Sequence, residues 1–537
     1  MRALTYISSV ALLSGWAFGQ PTTAPPAFDI ADIHGSPRSA SPRPVMAGGF
    51  LRAGRYELRQ ATMVDLIKTA YSVDDDKVQG GPSWLETDRF DVVAKAPPTT
   101  STENIKLMLQ ALLADRFKLV VHADTKPLSV FVLSLGKGKP KLKEADSSAA
   151  PGCQGVPQTP QPGVVPYQVV ACHGETMAVL ADLLPRMANA YVTSAVVDST
   201  GLKGTWDFEL KWTGRGQLAA AGPDGITIFD AIDKQLGLKL EPQKVPQTVV
   251  VVDSVNQKPT PNPPEVTTRL PPPAPAEFEV ADIKPSLPGA NQMIMMQNSR
   301  LDIKGLSLKD LITVGWNLDN TPDMLAPGPK FLDSSHFDVL AKVTTNGPAN
   351  APQIDESDLR LMLKALLIDR FKIVTHYEDR PMTAYTLVAA KPKLQKADPS
   401  NRTRWKEGPA PASKDPRDAN PVLGRLVTCT NMTMAQFADL LQAIAPGYIH
   451  SPVLDATGIE GAYDFTFNFS GIGQLQGGGG RNGDAGPSGA GASASDPNGA
   501  VSLFDALSKQ LGLKLEAQKR PLPVLVIDHI EEKPTDN

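Results

Sequence analysis

The two halves of this 537-residue chain carry the same motifs in the same order. Motifs that return in one fixed order indicate duplication of a structural unit. The sequence therefore predicts two homologous units, residues 28–256 and 278–533. The matching segments are FDIADI (28–33) with FEVADI (278–283), RFDVVAK (89–95) with HFDVLAK (336–342), LMLQALLADRFKLVVH (107–122) with LMLKALLIDRFKIVTH (361–376), VVDSTGLKGTWDF (196–208) with VLDATGIEGAYDF (453–465), and KQLGLKLEPQK (234–244) with KQLGLKLEAQK (509–519).

Two segments beside the repeated motifs have compositions typical of chain without a core. Residues 257–277 are rich in proline, which favours a semi-extended, mobile tether between the units. Residues 477–499 of the second unit consist mainly of Gly, Ala and Ser. Because such a composition cannot bury enough apolar surface, we expect a disordered insertion there.

Residues 1–19 have the pattern of a secretory signal peptide. Arg2 precedes an apolar stretch, and Ala17-Phe18-Gly19 forms a cleavage site before Gln20. The apolar stretch is shorter than the roughly 20 residues that a membrane span needs. No later segment is apolar enough to span a bilayer, so we expect a periplasmic or secreted protein with no membrane span after cleavage.

Helical and strand patterns alternate within each unit and predict an α+β fold. Thr62 with Asp65 three residues later is a helix-capping signal, and Ser307 with Asp310 repeats it. Apolar residues between 105 and 113 share one face of a helix. Alternating β-branched and aromatic runs predict the strands. We expect about four helices per unit, packed on small mixed or antiparallel sheets made from repeated α-β-β modules.

Several of these motifs resemble a family of secreted proteins from soil bacteria that is catalogued as a domain of unknown function. The resemblance rests on GGPSWLETDRFDVVAK, LMLQALLADRFKL, DSTGLKGTWDF and the closing LGLKLEPQK with VVVVDSV, and it covers nearly the whole of both units. In some relatives such a domain is similar to the sensor end of penicillin-responsive membrane metallopeptidases. The terminal SLFDALSKQLGLKLEAQKRPLPVLVIDHIE also resembles the short N-terminal modules of secretins and TonB-dependent receptors, which implies periplasmic docking. The resemblance implies no catalytic residues.

Composition argues against several classes of function. The formal net charge is −4, with acidic and basic residues interleaved, so no electrostatic feature favours nucleic acid as a partner. The sequence contains no P-loop, no G-x-S-x-G motif and no dinucleotide-binding glycine motif between a strand and a helix. We therefore expect no cofactor.

The chain has three cysteines, and their spacing matches no zinc motif. Cys153 and Cys172 fall within one repeat and could form a disulfide in an oxidising compartment. Cys429 matches Cys172 in the second unit but has no counterpart of Cys153, so we expect a buried free thiol.

Each unit contains an Asp-x-Thr-Gly sequence, which invites comparison with aspartic proteases. Those enzymes use Asp-Thr-Gly and bring two carboxylates together to share a proton. Here an additional residue separates Asp198 from Thr-Gly201, and the same holds for Asp455 and Gly458. We therefore predict a tight turn in which the aspartate accepts backbone N–H bonds and the glycine adopts positive φ.

His122 and His376 recur at the end of a strand, with acidic residues close behind them (Asp124, and Glu378 with Asp379). A metal or acid–base site needs more convergent groups. We therefore expect a half-exposed histidine paired with an acid.

Arg116 and Arg370 stand in the repeated sequence Asp-Arg-Phe-Lys. This pattern fits a structural ion pair at a helix end, and an interaction epitope is the alternative. For the whole chain we predict a non-enzymatic binding module whose partner is a protein or a component of the cell envelope. The alternative is a secreted hydrolase that acts on envelope or environmental polymers.

Overall fold

The structure is a computed structural model. It describes residues 26–37, 45–145, 150–157, 165–273, 277–287, 289–297, 300–318, 322–343, 356–408, 425–472 and 500–535. The signal peptide expected at 1–19 and the insertion expected at 477–499 lie outside these residues.

The first unit alternates strands with helices along its whole length. Its strands are β1 (Ile30–Gly35), β2 (Ala47–Arg52), β3 (Arg55–Thr62), β4 (Val78–Gly80), β5 (Arg89–Lys95), β6 (Val120–Leu135), β7 (Lys143–Glu144), β8 (Gly152–Gly155), β9 (Tyr167–Glu175), β10 (Val196–Asp198), β11 (Trp206–Thr213) and β12 (Leu238–Ser254). Its helices are α1 (Met63–Tyr71), α2 (Thr102–Arg116), α3 (Met177–Met187), α4 (Leu218–Ala221) and α5 (Ile228–Ala231), which continues as a π-helical turn (Ile232–Leu236).

A short helix in the linker, α6 (Val266–Arg269), precedes the second unit, which repeats most of these elements. Its strands are β13 (Val280–Pro285), β14 (Met293–Gln297), β15 (Arg300–Ser307), β16 (His336–Lys342), β17 (Val374–Ala389), β18 (Gln395–Lys396), β19 (Arg404–Gly408), β20 (Arg425–Thr433), β21 (Leu454–Asp455), β22 (Ala462–Phe469) and β23 (Leu513–His529). Its helices are α7 (Leu308–Gly315), α8 (Phe331–Ser334), α9 (Glu356–Phe371), α10 (Met434–Ile444) and α11 (Leu503–Ala506), followed by a π-helical turn (Leu507–Leu511).

Each unit is built on small sheets, and the strand order in the sheets of one unit matches that in the other. The first unit contains the sheets β1-β5-β3-β2, β10-β6-β12-β4 and β7-β11-β9-β8. The second contains β13-β16-β15-β14, β21-β17-β23 and β18-β22-β20-β19. Most neighbouring strands are antiparallel, and the short β10, β4 and β21 pair in parallel. The predicted α+β class is confirmed.

Each unit consists of two lobes with separate apolar cores, joined by a long antiparallel ribbon. In the first unit the ribbon is the pair β6 and β12. At one end Val252 enters the core of the first lobe. At the other end Leu133 and Leu238 enter the core of the second lobe. In the second unit β17 and β23 form the same ribbon between two cores.

Local sequence signals account for the helix starts. The side chain of Thr62 accepts from Asp65 N (3.1 Å), and the Asp65 carboxylate accepts from Thr62 N (3.0 Å). Ser307 and Asp310 form the same reciprocal pair at the start of α7. Both predicted capping boxes are confirmed, and each such cap stabilises its helix by about 1 kcal/mol.

The first part of the linker is packed against the first unit and is not a free tether. Thr260 N donates to the carbonyl of Arg116 (2.9 Å). Val266, in α6, is only 6% exposed. Further along, the carbonyl of Pro271 accepts from Arg55 Nη1 (2.8 Å). Proline content indicated an extended backbone, but these contacts show that the segment lies along the unit.

A short repeat that the sequence analysis missed explains this packing. The sequence Lys-Pro-Thr-x-Asn stands at 258–262 and again at 533–537. In the second unit Thr535 N donates to the carbonyl of Arg370 (2.8 Å), as Thr260 does to Arg116. The homologous part of the first unit therefore extends into the segment that was predicted to be linker.

Among the described residues, two groups of ion pairs join the units. In the first, Asp358 at the start of α9 binds Arg52 Nη1 (2.9 Å) and Arg59 Nη2 (2.7 Å) of the first unit. In the second, Glu86 Oε1 of the first unit binds Arg402 Nη2 (3.0 Å) and Arg404 Nη2 (3.3 Å) of the second.

The second group is partly buried and includes main-chain contacts. Thr403 N donates to the carbonyl of Ser83 (3.2 Å), and Lys406 pairs with Asp76. Arg402 is 7% exposed. Burial raises the pKa of Glu86, and this effect outweighs the lowering by Arg402. The arginines therefore do not fully offset the loss of hydration of the carboxylate.

Candidate binding groove

Arg116, the last residue of α2, forms the floor of a groove in the first unit and is only 6% exposed. Its Nε donates to Thr260 Oγ1 (2.9 Å) and its Nη1 to the carbonyl of Ala31 (3.1 Å). Its Nη2 donates to Asn262 Oδ1 and to the carbonyl of Thr260, both at 2.6 Å. Burial lowers the pKa of Arg116, while Asp115 beside it raises the pKa.

This geometry bears on the two roles considered for Arg116, a structural ion pair and an interaction epitope. An arginine at a protein–protein interface presents its guanidinium to a partner. The guanidinium of Arg116 instead joins the end of α2 to β1 and to the linker. Arg116 therefore positions the groove walls, which favours the structural role.

The groove itself lies between α2, β1 and the returning linker and has a volume of about 480 Å³. Its walls are largely apolar, and the carboxylate of Asp115 stands at the rim with its side chain 73% exposed. The apolar side chains in the lining include Phe28, Ile30, Met108, Leu112, Pro261 and Pro263. A volume of this size can hold a few apolar side chains or a small apolar ligand.

The second unit differs at the matching positions. Ile30 of the first unit is 6% exposed, whereas its counterpart Val280 is 65% exposed. The side chain of Arg370 is 18% exposed, and its Nε lies 3.6 Å from Asp369 Oδ2. The described residues of the two units therefore do not present the same surface around this helix end.

Asp198 and Asp455 lie in tight turns, as the sequence predicts for them. Asp198 Oδ1 accepts from Thr200 N (2.9 Å), and Asp455 Oδ1 accepts from Thr457 N (2.9 Å). Gly201 has φ +67° and Gly458 has φ +65°, a region that glycine adopts without strain. Each carboxylate is engaged in the turn of its own unit.

Cysteines lie at matching positions of the two units, but they form a disulfide in the first unit and a free thiol in the second. Cys153 on β8 and Cys172 on β9 form a disulfide, with Cα atoms 4.1 Å apart. In the second unit Trp405 takes the position of Cys153 and lies opposite Cys429 on the neighbouring strand. Cys429 is a free cysteine and is 1% exposed, and burial raises the pKa of its thiol.

Both recurring histidines pair with an aspartate on the neighbouring strand of the ribbon. His122 Nδ1 lies 2.9 Å from Asp253 Oδ1, and His376 Nδ1 lies 2.8 Å from Asp528 Oδ1. Both histidines are half-exposed, as the sequence predicts, with side chains 53% and 49% exposed. The sequence placed the paired acid among the residues that follow each histidine. Of those residues only Glu378 comes near, with its Oε2 3.9 Å from His376 Nε2.

Within the described ranges, no three His, Cys, Asp or Glu side chains come together in a way that could hold a metal ion. Among the same residues no helix is both long enough and apolar enough to cross a membrane.

The fold and the groove define a duplicated α+β protein in which each unit has two lobes and the first unit carries a surface groove. This chain belongs to the family described as "Protein of unknown function (DUF3738)", whose model matches residues 64–255 and 309–530. The two matched regions confirm the tandem arrangement of one domain. No curated protein and no solved structure matches the chain.

Proposed function

We propose that this protein is an exported, non-enzymatic binding module of the periplasm or cell envelope. Its first unit holds an apolar segment of a protein partner in the groove between α2, β1 and the linker. The observation that carries the proposal is the groove of about 480 Å³ with apolar walls. Concave apolar sites of this size with few polar groups are typical of binding sites.

The polar groups of the groove favour binding over chemistry. The guanidinium of Arg116 donates to Thr260, Asn262 and Ala31, so its role is structural. Asp115 and Lys118 are both exposed at this helix end, and Asp115 Oδ1 lies 3.5 Å from Lys118 Nζ. A partner segment with apolar side chains would match the walls, and the rim offers it one charge of each sign.

Two observations support export. The N-terminal sequence has the charged start, apolar stretch and small-residue site of a signal peptide. The disulfide between Cys153 and Cys172 is of a kind that persists in oxidising compartments and is rare in the cytosol.

The test uses one substitution at matching positions of the two units. Ala111 lines the groove, and Ala365 is its counterpart in the second unit. Because glutamate is a good helix former, Ala111→Glu fills the groove with a charged side chain without breaking α2. Tagged mature protein is crosslinked in the envelope fraction of its host, and the captured proteins are identified by mass spectrometry.

We expect a protein captured by the wild type and by Ala365→Glu to be lost with Ala111→Glu. Capture that is equal for all three forms, or absent for the wild type, would refute the groove as the binding site. The same preparations, incubated with envelope polymers, test the hydrolase alternative. Polymer cleavage that is lost on replacing His122 and His376 by glutamine would establish an enzyme instead.

A further inference from the structure

Strand β14 is a sheet edge whose own residues carry none of the features that commonly oppose the addition of another strand. It pairs with β15 on one side and ends the sheet β13-β16-β15-β14 on the other. Its sequence, Met-Ile-Met-Met-Gln at 293–297, has no charge, no proline and no glycine. Ile294 is 47% exposed and Met295 is 39% exposed.

Several other edges carry a feature that opposes strand addition. In the ribbons Pro127 lies opposite Pro246, and Pro381 lies opposite Pro521. Proline has no N–H and fits a ribbon only where its nitrogen faces the outer edge, so these positions cannot pair with a further strand. On β1 the amide of Asn262 already occupies the N–H and the carbonyl of Ile33.

The counterpart of β14 in the first unit shows the same protection. Strand β2 contains Gly48 and Gly49 at φ +90° and +91°, and its register against β3 shifts between Gly48 and Phe50. Bulges of this kind twist an edge away from a neighbour. Strand β14 pairs with β15 in continuous register from Met293 to Gln297. The two homologous edges of the chain therefore differ. Strand β2 is protected against the addition of another strand, whereas β14 is regular and apolar.

We propose that β14 pairs with β14 of a second copy of this chain, in antiparallel orientation about a twofold axis through Met295. A twofold axis perpendicular to the sheet pairs residues that lie on the same face, and the middle residue of β14 then faces itself. All five residues of the strand gain a partner. The two four-stranded sheets become one sheet of eight strands.

The apolar side chains fit this register. Met296 packs against the core of its own lobe, and Ile294 points to the same side of the sheet because side chains alternate along a strand. In the proposed pair Ile294 of one copy lies beside Met296 of the other on both sides of the axis. This contact covers the exposed Ile294 and adds its side chain to the apolar core. A second copy suits this strand better than a charged partner, since the edge offers no charge to complement.

This inference goes beyond the proposed function, because the groove lies in the first unit and β14 in the second. It is tested on the full mature chain by sedimentation velocity over a range of concentrations. We expect a concentration-dependent dimer of the wild type. Ile294→Lys should weaken the dimer about tenfold or more, because burying an unpaired ammonium costs more than the 1.4 kcal/mol to which a tenfold change corresponds. The control is Leu340→Lys, an equally apolar-to-charged change at a side chain of the same sheet that is 45% exposed but away from the edge.

A second variant tests the register and does not depend on loss of the dimer. In Met295→Cys the two new thiols face each other across the axis, with Cα atoms about 4.5–5.5 Å apart, which is within disulfide range. In Met293→Cys the two thiols stand about four residues apart along the strands, roughly 14 Å. We expect mild oxidation to link Met295→Cys and not Met293→Cys. A wild type that is monomeric throughout, a dimer that Ile294→Lys leaves intact, or a link in Met293→Cys alone would overturn the proposal.

Discussion

Asn262 binds Ile33 as a neighbouring β-strand would. Its Oδ1 accepts from Ile33 N and its Nδ2 donates to the carbonyl of Ile33, both at 3.0 Å. The same Oδ1 accepts from Arg116 Nη2. One side chain thus closes the edge of β1, satisfies a buried arginine and holds the linker against the first unit.

We predict that Asn262→Ala destabilises the first unit by about 1–3 kcal/mol, because it leaves buried donors and acceptors without partners. Gln257→Ala is the control. Gln257 belongs to the same segment, but its bond to Asp88 is exposed, so its loss should matter by less than about 0.5 kcal/mol. Urea unfolding measures the change in the free energy of unfolding for both variants. Limited proteolysis should also cut the linker faster in Asn262→Ala, and equal rates in the two variants would contradict this role.

Asp198→Ala and Asp455→Ala should each cost about 1 kcal/mol, the usual effect of losing an acceptor for turn N–H groups. The carboxylates accept from Thr200 N and Thr457 N in separate units. The two effects should therefore add in the double variant. Thermal melts measure stability beside a peptidase assay at acid pH. Unchanged melting together with loss of a pepstatin-sensitive activity would point to a protease.

The disulfide between Cys153 and Cys172 spans a sequence separation of 19 residues. Replacing both cysteines by serine should lower the stability of the second lobe by about 3 kcal/mol. Peptide mapping without reduction should recover the two cysteines in one linked peptide and Cys429 as a free thiol. The reverse outcome, with Cys429 in a disulfide, would contradict its burial opposite Trp405.

The raised pKa of Glu86 predicts that its contribution to stability, at the contact between the units, depends on pH. Its pKa in the folded protein lies above its ordinary value of 4.5, with burial as the largest cause. The folded protein therefore holds this proton more tightly than the unfolded chain does. It follows that the contribution of Glu86 to stability falls as pH rises from its ordinary pKa through its folded pKa.

The Glu86→Gln variant tests this sign, because glutamine has no proton to lose in this range. The difference in Tm between wild type and Glu86→Gln, measured from acid to neutral pH, should become less favourable to the wild type as pH rises. A difference that moves the other way would mean that attraction to Arg402 and Arg404 outweighs the loss of hydration.

Features encoded over a few neighbouring residues could be predicted from the sequence. The capping pairs at Thr62 and Ser307 and the helical apolar faces are of this kind, and the duplication is visible because the motifs recur in order. The acid that pairs with His122 could not be predicted in this way. Asp253 stands 131 residues away and reaches the histidine only because β6 and β12 pair. The recurrence of an aspartate near the end of the last strand of both units was the available signal.

The linker shows the same limit. Proline content describes the stiffness of a segment but not what lies beside it, and the groove depends on where the segment runs. Asn262 fixes the path of the segment, because its side chain hydrogen-bonds to the edge of β1. A search for the Lys-Pro-Thr-x-Asn repeat would have shown that the segment belongs to the first unit.

The ion pairs that join the two units depend on charged residues that only the second unit carries. The second unit contributes Asp358, Arg402, Arg404 and Lys406 to the contact. At the matching positions the first unit has Asn104, Ala150, Gly152 and Gln154, which carry no charge. The first unit of another molecule therefore cannot dock on the second unit as the second docks on the first. A head-to-tail contact that could repeat would build a ring or a fibre. Divergence of these four positions removes from the first unit the charges that such a repeated contact would need.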